Sequence, residues 1–363
     1  MNSIENNSDH SIEREHLAQQ FRFMSALVIL LVVAFLSVVV ACSIGRIEIP
    51  FWITLKSVAS GIGLMDGSNL NATHTAIIFD IRLSRVCLSA MVGLALSVSG
   101  AAFQGILRNP LADPFTIGVS AGGAFGAALV IFLGFGSNST MGLGMVPLAA
   151  LIGALSALAA VVSLARVDGM LRRDTMVLAG IVVATFLGAL VSLLKSLDEE
   201  SVASIVFWVM GSFQGRGWYH ALFAFPYLVV GLILVVVHSR EIDVMSLGDV
   251  PARQLGVDVN KARLRVLIGA SLLTAAAVSV SGVIGFVGLV APHLVRMTLG
   301  PNHTRLFVLA GLLGMIAMIW SDVAARTILP DGEELPVGVI TALIGGPFFC
   351  ALLKSTKTGT GFD

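Results

Sequence analysis

The sequence predicts an all-α polytopic membrane protein that crosses the bilayer about ten times. Three observations predict it. Of 363 residues, 56% are hydrophobic and only 12% are charged, about half the charged share of a soluble domain. Apolar runs recur along the chain at the length a bilayer demands, about 20 residues per helix. The 38 glycines often fall at helical spacing, as in Gly118, Gly122 and Gly126. In lipid, close approach through small residues replaces hydrophobic drive as the force between helices.

The elements follow in order. A polar tail, 1–22, precedes a first span at 23–44. Residues 39–42 read VVAC and resemble a lipoprotein cleavage box. The apolar run from Phe23 to Ser43 is longer than the roughly 7–15 residues of a signal-peptide core, so an uncleaved helix is expected. Residues 49–62 put Phe51, Trp52, Leu55, Val58, Ala59 and Ile62 on one face, the pattern of a helix lying in the interface. Spans at 86–107, 115–135, 142–165, 174–195 and 218–238 come next. Before the last of these, 202–213 (VASIVFWVMGSF) covers about two-thirds of a bilayer and reads as re-entrant or cavity-lining. The apolar block 265–299 is expected to turn near Ser281, Gly282 and Gly285, giving spans 265–283 and 285–299. Spans 305–325 and 337–354 complete the set, and 356–363 form a short tail. Cys42, Cys87 and Cys350 lie at unrelated spacings in apolar runs and read as small buried hydrophobes rather than metal ligands.

Ten spans put both termini on one side. With that side inside, 15 of the 22 Lys and Arg face the cytoplasm and 7 face outward. Lys and Arg are enriched in cytoplasmic loops, so both termini are expected in the cytoplasm. Net charge is zero, which gives no long-range attraction to nucleic acid.

Against this background, MSLGDVPARQLGVDVNKARLR (245–265) is conspicuously polar. Ser246 or Asp249 can cap a short helix, Pro251 suits a first turn and Gly256 a stop, and Asp258 or Asn260 caps a new start. Val250, Leu255, Val257 and Val259 are apolar side chains on an element with no lipid to cover them, as a docking surface for a partner protein requires. A second such element, RNPLADPFTIGVSAGGAFGA (108–127), opens with a polar cytoplasmic turn in which Asn109-Pro110 and Asp113-Pro114 each hold the residue before proline extended.

The segments RLSRVCLSAMVGLALSVSGAAFQGILRNPLADPFTIGVSAGGAFGA (82–127), FWVMGSFQGRGW (207–218), SLGDVPARQLGVDV (246–259), GVIGFVGLVAPHLVR (282–296) and ELPVGVITALIGGPFFCALL (334–353) resemble the FecCD/BtuC-type membrane permease of bacterial ABC importers for iron–siderophore, haem and vitamin B12. The resemblance runs in order from about 23 to 355. It implies a type II ABC importer permease fold in one permease domain, 23–355, in the bacterial inner membrane. It implies as partners a second permease chain, identical or homologous, two ATPase subunits and a periplasmic substrate-binding protein. It further implies coupling helices at about 246–260, with Asp249, Pro251, Ala252, Arg253, Gln254, Leu255, Gly256 and Val257 gripping the ATPase. Arg82, Arg85 and Arg326 match positions that meet carboxylates of the binding protein, a pairing suited to the bidentate arginine fork. Asp331, Glu333 and Glu334 follow closely and would blunt that positive patch. The segment around WVMGS inclines the cargo towards iron–siderophore.

The chain carries no motor of its own. A phosphate-binding loop needs Gly-Lys followed by Ser or Thr, and none of the five lysines follows a glycine. No cofactor is expected on this chain, and ATP belongs to the partner. Asp322 and His293 are the conspicuous ionisable groups at membrane depth, both near helix ends, where structural hydrogen bonds are expected. No chain of acids suggests ion coupling, and no nucleophile–base pair or HExxH suggests an intramembrane enzyme.

Overall fold

The computed structural model describes residues 2–45, 47, 49–61, 63–65, 71–135, 142–330 and 332–357. Helix α1 (Asn2–Ser43) continues back through most of the expected polar tail. α2 (Phe51–Gly61) follows, then α3 (Ala72–Ala76), which passes through π-helical turns at Ile77–Leu83 into α4 (Ser84–Leu107). α5 (Val119–Val130) and α6 (Gly142–Ala165) lead to a two-residue hairpin, β1 (Arg166–Val167) and β2 (Met170–Leu171), paired antiparallel. The chain continues as α7 (Arg173–Leu197), α8 (Glu199–Met210), α9 (Trp218–Val237), α10 (Ser239–Ser246), α11 (Asp249–Gln254), α12 (Val259–Ser281), α13 (Val287–Leu299), α14 (His303–Thr327) and α15 (Val337–Lys357).

Among the described residues, seven helices are long and apolar enough to cross a membrane, and Val119–Phe135, Val287–Leu299 and Val337–Leu352 are shorter apolar helices. Each of the ten expected spans falls on one of these ten. The main differences lie at the ends, because helices run on past the apolar stretch. The second span, for example, begins at Ala72, not at 86.

Long-range contacts fix the direction of travel. The end of α1 meets Arg82 and Arg326, and Leu335, just before α15, donates its N–H to Ala325. The end of α1 and the start of α15 therefore share one end of the bundle. α7 begins beside Asp249 and runs 25 residues away from it. α9 begins where Trp218 donates to the Phe79 carbonyl, at that same far end. The intervening α8 has only 12 residues, about 18 Å of helix, so 199–217 enters the bundle and leaves on the side it entered. This is the re-entrant arrangement expected for 202–213.

The interior is built on α4 and α12, most of whose side chains are buried. Glycine sets the contacts. A Cβ on Gly100 would lie 2.0 Å from the Gly288 carbonyl oxygen, and one on Gly122 or Gly126 would strike the α6 backbone at Gly153 or Ala149. Gly118, the first of the expected packing triad, instead supplies a left-handed cap to α5 (φ 80°). The apolar block 265–299 breaks where expected, between Gly282 (φ 74°) and Phe286 (φ 69°). α2 presents Phe51 and Trp52 outward, and its buried residues are Thr54 and Ser57. The bundle is thus met by a small polar face, and the aromatic residues are left for the interface. Ile62 and Asp331 lie outside the described residues.

Candidate functional site

The polar stretch folds as three short pieces at the end of the bundle opposite Arg82 and Arg326. α10 is anchored by buried Ile242 and Met245, and Asp243 accepts both the backbone N–H and the ring of His303 at the start of α14 (2.9 and 2.6 Å). Gly248 (φ 127°) turns the chain into α11, and Gly256 (φ 88°) turns it out again. Asp258 caps α12 by accepting the Lys261 N–H at 3.1 Å. The other expected caps do different work. Ser246 donates back to the Asp243 carbonyl, and Gly248 caps α11 without a side chain. Asn260 ties down the hairpin, donating to the Gly169 carbonyl at 3.2 Å and accepting the Leu171 N–H at 3.0 Å.

The exposed apolar set also differs from expectation. Val259 is buried, Val257 packs half-buried against the core and Ala252 is buried. The apolar side chains that reach solvent are Leu247, Val250 and Leu255, each about two-thirds exposed. Leu247 closes α10, Val250 lies in the first turn of α11 and Leu255 caps its end, with Pro251, Arg253 and Gln254 also exposed. Leu247 was legible as a lone leucine between Ser246 and Gly248, outside any apolar run.

Asp249 is bound from two sides. Both its oxygens accept Arg263 Nη2 at 2.9 Å, and Arg173 donates to Oδ1. Arg263 also donates to the Leu171 carbonyl at 2.7 Å. Burial pushes the Asp249 carboxyl up, but the two guanidinium groups outweigh it and hold it below the usual carboxylate range. Arg173, Arg263 and Asn260 were missed as site residues; in sequence they read only as inner-side charge or as a cap. The turn at 108–118 lies beside this element, with Arg108 next to Gly248. Within it, Asn109 Oδ1 accepts the Leu111 N–H at 2.9 Å and Asp113 Oδ1 the Phe115 N–H at 2.7 Å. Those two Asx turns hold the Asn109-Pro110 and Asp113-Pro114 pairs rigid.

At the opposite end the three arginines are spent inside the molecule. Arg82 donates to the carbonyls of Cys42, Ser43 and Ile47 at 2.9, 2.9 and 2.5 Å. Arg326 donates to the Ala41 carbonyl at 2.7 Å. Both therefore satisfy carbonyls that the end of α1 leaves unpaired. Arg85 binds Asp322 through Nε and Nη2 and Glu334 through Nη1 and Nη2. Arg82 and Arg85 are buried, and the Arg326 side chain is only 8% exposed, so this conformation presents none of the three forks to a partner. Each finds an acceptor within the chain. Asp322 is fully buried as Arg85's partner, and His293 packs edge-on against Phe348. Among the described residues no cluster of His, Cys, Asp or Glu could hold a metal.

A ten-helix bundle with one re-entrant segment, a break at 282–286 and a clamped short helix at one end defines a permease of the type II ABC importer class. A solved structure described as a metal-chelate type ABC transporter in an inward-facing conformation superposes with a TM-score of 0.77 at 32% identity, covering 91% of this chain and 98% of its own. Residues 21–355 match the FecCD transport family, and the chain belongs to that family. It is 40% identical over 331 residues to the ABC transporter permease protein YvrB of Bacillus subtilis, covering 89% of this chain and 91% of YvrB. It is 42% identical over 285 residues to the cobalamin import system permease protein BtuC of Halobacterium salinarum (78% and 75% covered). It is 40% identical over 276 residues to the hemin transport system permease protein HmuU of Yersinia pestis (76% and 82%).

Proposed function

We propose that this permease carries an iron–siderophore complex from periplasm to cytoplasm across the bacterial inner membrane, by alternating access driven by two separate ATPase subunits. A second permease chain completes the pathway, and a periplasmic binding protein delivers the cargo. Both termini and α11 face the cytoplasm, a placement supported by the two-to-one excess of Lys and Arg on that side.

The observation that carries the reading is the exposure of Leu247, Val250 and Leu255 on and beside α11, a short helix pinned to the bundle. Exposed aliphatic side chains at a polar end of a membrane protein suit a contact with a protein partner. The iron-chelate cargo is supported by the sequence around WVMGS and by the metal-chelate transporter that superposes on the chain. Relatives of similar identity are named for cobalamin and hemin, which makes haem and vitamin B12 the competing cargoes.

Two experiments test the proposal. Leu247→Glu, Val250→Glu and Leu255→Glu together abolish recovery of the ATPase on gentle purification, while the protein still inserts as a monodisperse species. Undiminished recovery would overturn the handle. Uptake of labelled iron on several siderophores, haem and cobalamin is then compared in cells with and without the gene. Loss of one iron chelate alone supports the cargo; loss of haem or cobalamin replaces it.

A further inference from the structure

We infer that Asp249, clamped by Arg173 and Arg263, is the joint through which movement of the handle reaches the transmembrane helices, not a residue that grips the ATPase. The inference rests on the reading of α11 as the ATPase handle.

α11 has six residues, too few for a helix to hold itself together in water. Its flanking glycines both lie at positive φ, and a side chain added at Gly256 would meet nothing within 4 Å. A push on Leu255 or Val250 would therefore swing or unwind α11 unless something fastens it. The buried Ala252 supplies one apolar contact. Asp249 supplies the only ionic tether of α11 among the described residues. Its two arginines belong to different structural units. Arg173 is the first residue of α7, and Arg263 lies in the second turn of α12.

Arg263 extends the tether. Its side chain is 4% exposed, and its bond to the Leu171 carbonyl reaches the hairpin that joins α6 to α7. Asn260 binds the same hairpin from α12. One carboxylate thus holds α11, α7, α12 and the hairpin as one body. One negative charge also sits between two positive ones, so removing it leaves two guanidinium groups facing each other across the joint. Their repulsion opens the clamp. Both Asp249 oxygens already accept from arginine, whereas the exposed side chains beside it are aliphatic and have no ionic tie to the bundle.

The test uses the permease with its co-purifying ATPase in lipid nanodiscs, with Cys42, Cys87 and Cys350 replaced by serine. Nitroxide labels at Gln254→Cys on α11 and Leu193→Cys on α7 lie 20 residues of α7 beyond the joint, roughly 30 Å. In this parent the label distance stays constant within about 2 Å between the nucleotide-free and ATP–vanadate states. In Asp249→Asn it broadens and shifts by roughly 5 Å or more with nucleotide, while ATPase recovery equals that of the parent. Asp249→Glu restores the narrow distribution. Arg173→Gln, which removes one arm only, gives an intermediate width and guards against a folding defect in Asp249→Asn. A constant distance in Asp249→Asn, or a parent that moves as much as the variant, overturns the inference. Loss of ATPase recovery in Asp249→Asn also overturns it, by making Asp249 a gripping residue. An unlabelled wild-type permease that recovers no ATPase at all refutes the handle, and the inference with it.

Discussion

Replacing Asp322 with asparagine removes the charge at the centre of the far-end network while keeping its size. Asp322 accepts three hydrogen bonds from Arg85, at 2.7, 3.0 and 3.1 Å, and Arg326 Nε approaches to 3.8 Å. The carboxylate is 1% exposed. Breaking such a buried pair costs about 3–5 kcal/mol, because the abandoned charge stays buried. Arg85 keeps its two bonds to Glu334, at 3.1 and 2.8 Å, so the lower bound applies and about 3 kcal/mol is expected. At roughly 2 °C per kcal/mol for a chain of this size, the apparent melting temperature falls by roughly 6 °C. A thiol-reactive dye reports the transition. Cys42 is fully buried, and its carbonyl accepts from Arg82, so labelling there reads the corner being loosened. Arg85→Gln together with Asp322→Asn should cost less than the sum of the two changes, by about 2 kcal/mol. A single variant that melts within about 1 °C of the parent, or an additive double variant, would refute the ionic account of this end.

Three further outcomes follow from the same structure. Burial pushes the Asp113 carboxyl up to about 6, against the pull of the Phe115 N–H. A carboxyl raised in the folded state contributes stability that is full below its ordinary value and is lost as pH rises through the folded one, so the buried charge weakens the turn at pH 7.5. A shift of about two units is worth about 3 kcal/mol at most. Asp113→Asn, which keeps the acceptor for Phe115, therefore melts higher than the parent at pH 7.5, and the gap narrows by about half at pH 5; an equal gap at both would contradict this. Gly100→Ala, whose new methyl would lie 2.0 Å from the Gly288 carbonyl oxygen, costs about 3 kcal/mol by forcing α4 from α13. Gly188→Ala on α7, with nothing within 4 Å, is neutral or stabilising by less than about 1 kcal/mol. Melting the pair side by side checks both.

The spans were legible because a bilayer imposes one requirement on every crossing segment, and an apolar run of the right length satisfies it locally. The break near Gly282 was legible for a similar reason, since glycine marks where a helix ladder can stop. The handle stood out by contrast with its surroundings. What was not legible is pairing across the chain. Arg85 and Asp322 stand 237 residues apart, and nothing local to RLSR says whether its arginines face a partner or a buried acid. The acids after Arg326 carried the clue, since Glu334 takes one edge of Arg85. Val257 and Val259 misled in the opposite sense. As valines in a polar stretch they looked exposed, but the fold turns them inward against the core and leaves Leu247 outside.

The placement of these features constrains how the permease can move. Each end of the bundle is fastened by arginines, Arg173 and Arg263 at one and Arg82, Arg85 and Arg326 at the other. Between them, α4 is held to α13 by backbone contact at Gly100 and Gly288 that leaves no room to slide. Interruptions in the helical ladder lie in the half of the bundle opposite the handle, at 211–217 and 282–286, and they touch. Ser212 donates to the Ser281 carbonyl at 2.8 Å, and Gly338 at the start of α15 donates to Gly211. Broken helices bend at their breaks more cheaply than intact ones. Phe286, a non-glycine residue at φ 69°, stores strain at this place, as switch regions often do. A displacement entering through Asp249 would travel up α12 as a rigid rod and be absorbed where that helix stops, at Ser281. A clamped handle and a jointed opposite half are the conditions under which a small push at the handle tilts whole helices instead of deforming the loop that receives it.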